Sequence, residues 1–419
     1  AKALERIITF DMGGTTAKAS MVEDGSVLRA QEYAVGAGIM IGSRLLSGAG
    51  YALKVPAIDL AEVGAGGGSL VRLDQGGALQ VGPQSAGAVP GPVCYAKGGE
   101  TVTVTDANVV LGYLNQQHLV GGALPIDAER GRDAFKAQVA EPLGLAIEEA
   151  AHGAFRIAAS NMIRAIRAVS SERGRDPRTF ALFAFGGNGP LFACEMAKTL
   201  DMTRVVIPPS PGLFSAFGLL YADLEHHYSR TLRRVTQEAD AAEIAAAWGE
   251  LEDQARTQLL ADGVAAADMQ VRRAAALHYK GQSFELVVPA PDGAIDKGFL
   301  DKLADAFGAE HERVYGHRAG PEEPVELVSM QVVAASSADS GGVPERVVPS
   351  RPEPEPGPPR QVFFGQEHGW VETPILRRSD LEGGRAGPLI VEEYDATCVV
   401  PPGAKASLDG GGNIVIQLA

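Results

Sequence analysis

The chain has 419 residues, 45% of them hydrophobic, with three cysteines and a formal charge of −15. That length allows two or three domains with substantial cores, while the acidic balance, without a basic run or basic–aromatic interleaving, argues against a nucleic-acid partner. No apolar stretch approaches the roughly 20 residues that span a bilayer and no charged-then-apolar leader opens the chain, so no membrane partner is expected.

Taken in order, residues 6–11 and 17–22 read as two strands around Gly13-Gly14, in the stretch "RIITFDMGGTTAKASMVEDG". Residues 62–83 continue as strands and turns, with Asp74 to Gly77 as a hairpin tip. "TVTDANVVLGYL" (103–114) turns to helical spacing after Thr105 or Asp106, either of which can cap it. Residues 147–170 form the clearest helix, with Ala151, Phe155, Ala158, Ala159, Met162, Ile166 and Val169 on one stripe and Gly174 as a stop. "FALFAFGGNGPLFACEMAKTL" (180–200) is a buried strand, a glycine turn and a helix opening near Pro190, and residues 204–223 repeat that order. Alternation of this kind predicts α/β architecture.

The second half reads as α+β: a helix near 240–262, strands within 270–289, a helix near 298–315 and a strand at 325–335. Residues 336–360 are rich in proline and read as an extended linker. The tail, 361–419, reads as a small all-β domain with turns at Glu382-Gly383 and Asp409-Gly410. The expected division is therefore a nucleotide-binding domain over 1–235, an α+β segment over 236–335 packed on it, the linker, and the β-rich tail.

Three glycine clusters carry the candidate chemistry. At Gly13-Gly14, backbone N–H groups can approach phosphate oxygens because no Cβ intervenes. Thr15 and Thr16 add hydroxyls there, and Asp11 offers oxygen to a hard cation such as Mg²⁺; an ordinary hairpin uses the same residue types. Gly186-Gly187-Asn188-Gly189 lies between a buried strand and a helix start, where free N–H groups and the helix dipole favour an anion or nucleotide. It is neither a Walker loop nor a dinucleotide fingerprint, and a tight turn is the plain alternative. Gly66, Gly67 and Gly68 run consecutively, which suits either a ligand-facing backbone or a close chain crossing. Asp106 and Asn108 are polar groups at a helix start, with capping as the ordinary duty of Asp106.

Other signals are weak. "HERVYGH" (311–317) lacks the i, i+4 histidine pair of a zinc helix, since position 315 is Tyr. Cys94, Cys194 and Cys398 lie far apart without CxxC spacing and read as reduced packing residues of a cytoplasmic protein. No GxSxG elbow is present.

Together the blocks "FDMGGTT", "VPAIDLAEVGAGGGS", "VGPQSAGAVPGPVCY", "TVTDAN", "SERGRDPRTFALFAFGGNGPL", "PPSPGLFSAFGLL", "YKGQSFEL", "HERVYGH" and "VEEYDATCVVPPG" resemble, in order and over nearly the whole chain, the hydantoinase A/5-oxoprolinase family. The resemblance implies an actin-like (ribonuclease-H-like) ATPase domain using ATP and Mg²⁺. It implies a cyclic amide such as a hydantoin or 5-oxoproline as substrate; relatives that carboxylate ketones are covered equally. It assigns Asp11 a metal-binding and catalytic role, Asp106 a catalytic one, and Gly13 to Thr16, Lys18, Gly66, Gly67 and Gly186 to Gly189 to the nucleotide.

Two residues depart from the family pattern: Lys18 stands where relatives often carry Asp, and Val89 where many carry Asp before "PGP". The family also carries an earlier phosphate motif, so the resemblance implies a second polypeptide or chain segment completing the cleft, and a hydantoinase-B-like partner. The surface that meets the region completing the cleft is expected to be apolar and exposed, edged by residues 64–69 and by Pro208 to Gly212. Three functions follow from the resemblance: part of an ATP-dependent amidohydrolase, part of a ketone carboxylase, or a scaffold subunit without catalysis.

Overall fold

A computed structural model describes residues 5–30, 33–35, 51–53, 57–320, 322–336 and 353–418. Two compact units emerge, one from Ala1–Leu219 with Pro344–Ala419, the other from Leu220–Val343.

The first unit is built on a mixed sheet of nine strands among the described residues. Strand β1 (Arg6–Met12) turns at Gly13–Thr16 into antiparallel β2 (Ala17–Glu23), and β3 (Leu60–Val63) pairs with β2. A hairpin of β4 (Ser69–Leu73) and β5 (Leu79–Ser85) leads to helix α1 (Val104–Val110) and, later, to the 23-residue α2 (Ile147–Val169). Every residue of the predicted stripe on α2 is buried. The helix stops at Ser170, and Gly174, in the left-handed region at φ +72°, closes the single 3₁₀ turn that follows.

Strand β6 (Ala181–Phe185) lies parallel to β1, and α3 (Gly189–Thr199) brings the chain back to β7 (Arg204–Ile207), parallel to β6. Phe192 of α3 stacks on Phe155 of α2 at 4.5 Å, joining the two helices inside the core. Helix α4 (Phe214–Leu220) follows. These repeats of strand, turn and helix give the α/β class that the sequence predicts.

The tail corrects the expected division. Strand β8 (Lys405–Leu408) pairs with β9 (Ile414–Gln417), and β9 pairs antiparallel with β7 in full register from Arg204↔Gln417 to Ile207↔Ile414. Residues 361–418 thus extend the first unit's sheet and core and form no separate domain. The turns at Leu381–Gly384 and Asp409–Gly412 fall where predicted. The physical reason is that β7 exposes a row of unpaired backbone groups, and a distant apolar strand such as "IVIQ" satisfies them. Residues 337–352, most of the expected linker, lie outside the described residues.

The second unit begins at residue 220, earlier than the expected boundary at 236, because Glu225–Val235 is a strand of its sheet. The order is 225–235, 325–336, 269–279, 286–289, all antiparallel, with helices Ala241–Ala261 and Lys297–Tyr315 packed on it. Trp248, Phe299 and Phe307 fill its own core. His311 does not face His317 as a ligand pair: its Nδ1 bonds the His317 carbonyl oxygen at 2.6 Å.

Candidate functional site

Strands β1 and β6 run parallel and end side by side, with Asp11 opposite Phe185. Open α/β sheets hold ligands beyond such carboxyl ends. The turns leaving both strands meet there. The Asn188 N–H donates to the Met12 carbonyl at 3.0 Å, and the Asn188 side-chain amide donates to the Gly13 carbonyl at 3.2 Å. Sequence reasoning placed Asp11, Gly13 to Thr16 and Gly186 to Gly189 at one site, and the fold brings them together.

The hairpin tip is open. A Cβ on Gly13 or Gly14 would meet nothing within 4 Å, and Gly14 and Thr15 are exposed. The turn is held from within by the Gly13 N–H, which donates to the Thr16 carbonyl at 3.1 Å. Helix α3, eleven residues long, starts beside it at Gly189. Pro190 has no N–H and the Leu191 N–H already donates to the Asn188 carbonyl at 3.2 Å, so what this helix start offers an anion is mainly its dipole. This corner therefore suits an anion approaching from solvent.

Gly186 is the glycine the geometry demands. Its φ is +80°, and a Cβ there would stand 2.4 Å from both Asp11 Oδ1 and the Met12 carbonyl oxygen. Gly187 is different: it is exposed, carries no left-handed φ, and its Cβ would meet only the Asp395 carbonyl oxygen at 3.5 Å. Strain in this turn belongs to Gly186.

Gly66 and Gly67 are buried behind the hairpin, so the nucleotide contact expected of them is replaced by a chain crossing. The Gly67 and Gly68 N–H groups donate to the Gly13 and Gly14 carbonyls at 3.2 and 2.7 Å. A Cβ on Gly66 would come within 2.4 Å of the Gly14–Thr15 peptide, and one on Gly67 within 2.9 Å of Asn188 Nδ2 and Thr105 Oγ1. These glycines let two backbones touch and so fix the hairpin from below.

Asp106 is also reassigned. The cap of α1 is Thr103, and Asp106 completes a capping box at its third position. Fully buried, its carboxylate accepts from the N–H groups of Val93, Cys94 and Thr103 and from the Thr103 hydroxyl, at 2.7–3.2 Å. Those four donors occupy both oxygens, which leaves Asp106 a structural role. Asn108 is fully buried on the same helix.

Lys18 sits in register with Asp11 on one side and Glu62 on the other, and its Nζ stands 4.0 Å from Glu62 Oε1. Lys18 thus lies in register between two acids, with its half-exposed ammonium beside Glu62.

Sequence reasoning missed four side chains near the site. The Ser215 hydroxyl on α4 donates to Asp11 Oδ2 at 2.9 Å, a contact across 204 residues that no local pattern announces. Asp395 packs against Gly212, where a Cβ would lie 2.9 Å from its own. Burial pushes the Asp395 carboxyl up, opposed by the amides of Asp395 itself, Gly212 and Leu213 and by Arg378. Arg378, 5% exposed, pairs with Glu393 through two bonds of 2.7 Å and donates to the carbonyls of Ile207, Pro208 and Gly412. Burial also pushes the Glu393 carboxyl up, against the pull of Arg378.

The three cysteines are free and buried, and burial raises each thiol above its ordinary range, so none is an activated nucleophile. Among the described residues no group of three or more His, Cys, Asp or Glu is placed to hold a metal, and no helix is long and apolar enough to cross a membrane.

Residues 1–228 match the family model described as hydantoinase/oxoprolinase, and residues 232–414 match the hydantoinase/oxoprolinase C-terminal domain. An uncharacterized protein of Methanocaldococcus jannaschii is 41% identical over 98% of this chain and 58% of its own length. Caprolactamase subunit alpha of Pseudomonas jessenii is 34% identical over 97% of this chain and 57% of its own. The crystal structure of the ATP-dependent caprolactamase from that organism superposes with a TM-score of 0.80 at 32% identity, covering 99% of this chain and 59% of that one. A nucleotide-free structure of acetone carboxylase gives a TM-score of 0.76 at 30% identity, covering 99% and 59%. The chain spans under three fifths of the length of these relatives.

Proposed function

Because this chain belongs to the hydantoinase/oxoprolinase family, we propose that it forms part of an enzyme that uses Mg-ATP to open a cyclic amide. The observation that carries this reading is the corner where Asp11, the open Gly13-Gly14 turn and the start of α3 converge. In the proposed reaction the amide oxygen attacks the γ-phosphorus and ADP departs. Water then adds to the activated amide carbon, and the tetrahedral adduct collapses by breaking the C–N bond, so that the ring nitrogen takes a proton and leaves as an amine. The resulting open-chain acyl phosphate is hydrolysed by a second water to carboxylate and inorganic phosphate.

The residues fit a nucleotide-borne metal. Asp11 supplies one carboxylate and no neighbouring cluster completes a metal site among the described residues. Mg²⁺ is commonly held by one or two carboxylates together with substrate phosphates. When bound, the ion would neutralise charge on the phosphate oxygens. The exposed backbone of Gly14 and Thr15, with the positive end of the α3 dipole beside it, would bind and orient those oxygens. Lys18 would add a positive charge beside Asp11.

The proposal includes a second polypeptide region that brings an opposing phosphate loop, and a hydantoinase-B-like subunit that works on the activated substrate. Relatives named as alpha, beta and gamma subunits support such a division. A ketone plus bicarbonate is the second substrate reading, supported by the match to acetone carboxylase over 99% of this chain.

The test uses the chain with whatever polypeptides co-purify. ATP turnover is measured with hydantoin, 5-oxoproline and lactams, and separately with ketones plus bicarbonate. Amide-dependent turnover is the expected result, and ketone-dependent turnover would transfer the reading to the carboxylase. Asp11→Asn should lower turnover by orders of magnitude and change stability by no more than about 1 kcal/mol. Survival of turnover in that variant, or its absence from the wild-type assembly with every substrate, sinks the catalytic reading in favour of a scaffold.

A further inference from the structure

Helix α4 carries the sequence "FSAFGLL", yet Leu219 and Leu220 are 75% and 76% exposed. The helix is attached to the sheet at its first turn. The ring of Phe214 packs on Phe183 and Phe185 of β6 at 5.4 and 5.2 Å. The next residue, Ser215, reaches the end of β1 and gives its hydroxyl proton to Asp11 Oδ2 at 2.9 Å.

An aspartate at the end of a strand needs such a partner to hold one orientation. The torsion that turns its carboxylate plane is broad and roughly two-fold, so the side chain alone does not choose an angle. On one face of Asp11 stands Gly186, whose missing Cβ leaves room for Oδ1. On the other oxygen sits the Ser215 hydroxyl. Backbone pins the strand through the register of β1 with β2 and β6, but only side-chain contacts set the carboxylate angle. Aromatic packing by Phe214 in turn fixes where the hydroxyl stands.

We propose that Ser215 is a positioning residue for Asp11: it fixes the carboxylate plane so that the remaining lone pairs meet a nucleotide-borne metal in one geometry. This rests on the reading of Asp11 given above. The serine touches neither metal nor nucleotide in this scheme and acts only through the aspartate. A magnesium shell is close to octahedral and tolerates misplacement poorly, so loss of the bond should weaken metal retention more than folding.

The experiment follows Mn²⁺, as a spectroscopic stand-in for Mg²⁺, by electron paramagnetic resonance on the purified chain. Millimolar ADP is present, enough to load a weak half-site. Wild type, Ser215→Ala, Ser215→Thr and Asp11→Asn are compared, with metal-free melting in EDTA as the control for folding. Ser215→Ala should weaken nucleotide-dependent Mn²⁺ binding about tenfold, the scale of one hydrogen bond to a charged group. Its metal-free melting should match wild type, and Ser215→Thr should restore binding. Unchanged Mn²⁺ binding in Ser215→Ala, while Asp11→Asn abolishes it, overturns the role of Ser215 alone. A fall in binding that tracks a fall in melting temperature and is not rescued by threonine also overturns it, as a packing effect. Normal binding by Asp11→Asn, or no nucleotide-dependent binding by wild type, removes the reading of Asp11 and Ser215 with it.

Discussion

Two adjacent glycines at the end of β6 have opposite reasons for being glycine. Gly186 adopts φ +80° with Asp11 Oδ1 where its Cβ would be, so Gly186→Ala must move either the turn or the aspartate. Gly187 has room for a methyl group. We expect Gly186→Ala to lose both stability and nucleotide binding. Gly187→Ala should melt as wild type does, and a fall in its ATP affinity would report a ligand over the turn. Calorimetric titration alongside thermal melting separates the two, and early melting of Gly187→Ala refutes the assignment. Asp106 supplies a third contrast at this scale. Replacing it by alanine strands three buried N–H groups and a hydroxyl, a loss of about 3 kcal/mol or more. Denaturant titration should find that loss; an inactive variant of normal stability would restore Asp106 to the chemistry.

At the scale of elements, the hairpin β1–β2 is positioned by two layers it does not touch in sequence. The Gly66–Gly68 crossing supports it from behind, and the turn after β6 is tied to it through Asn188. Apolar residues were expected to be exposed at 64–69 and at Pro208–Gly212, as edges of a docking surface. Both stretches are largely buried, and exposed leucines appear instead at Leu213, Leu219 and Leu220. The loop after β7 is buried because Arg378 reaches from the tail to the carbonyls of Ile207 and Pro208. Arg378→Ala would leave Glu393 buried without its counter-charge, which typically costs about 3–5 kcal/mol. Replacing both residues by apolar ones of similar size should recover most of that loss. A double variant as unstable as the single one would show that the carbonyl contacts, not the ion pair, dominate.

For the whole molecule, the tail belongs to the fold of the first unit. Ile414 and Ile416 on β9 are fully buried in the core cluster that also holds Ile8 and Phe10 of β1. A chain ending at residue 343 therefore exposes the edge of β7 and removes core side chains, and it should lose the cooperative melting of the first unit. Residues 220–343 expressed alone have their own sheet and core and should melt as one transition. Circular dichroism on both fragments tests this. A stable, cooperative first unit without its tail would support the separate β domain that the sequence suggested.

The sequence alone determined the elements whose signals are local. The hairpin around Gly13-Gly14, the stripe of α2 and the strand–turn–helix of residues 181–199 are written in periodicity and turn chemistry. It also determined the family, through ordered blocks along nearly the whole chain. Which polar group does which work was decided by tertiary structure. Asp11 and Asp106 are both acids next to glycine-rich or helix-start motifs, yet one meets a distant serine at an open corner and the other is enclosed by four donors. The glycines of 66–68 and 186 are alike in sequence, and only the atoms standing where their Cβ would be separate a chain crossing from a site turn. The tail was misread for the same reason. An alternating apolar strand specifies that one edge will be paired, but the partner edge, here β7 some two hundred residues away, is chosen by the closure of the whole sheet.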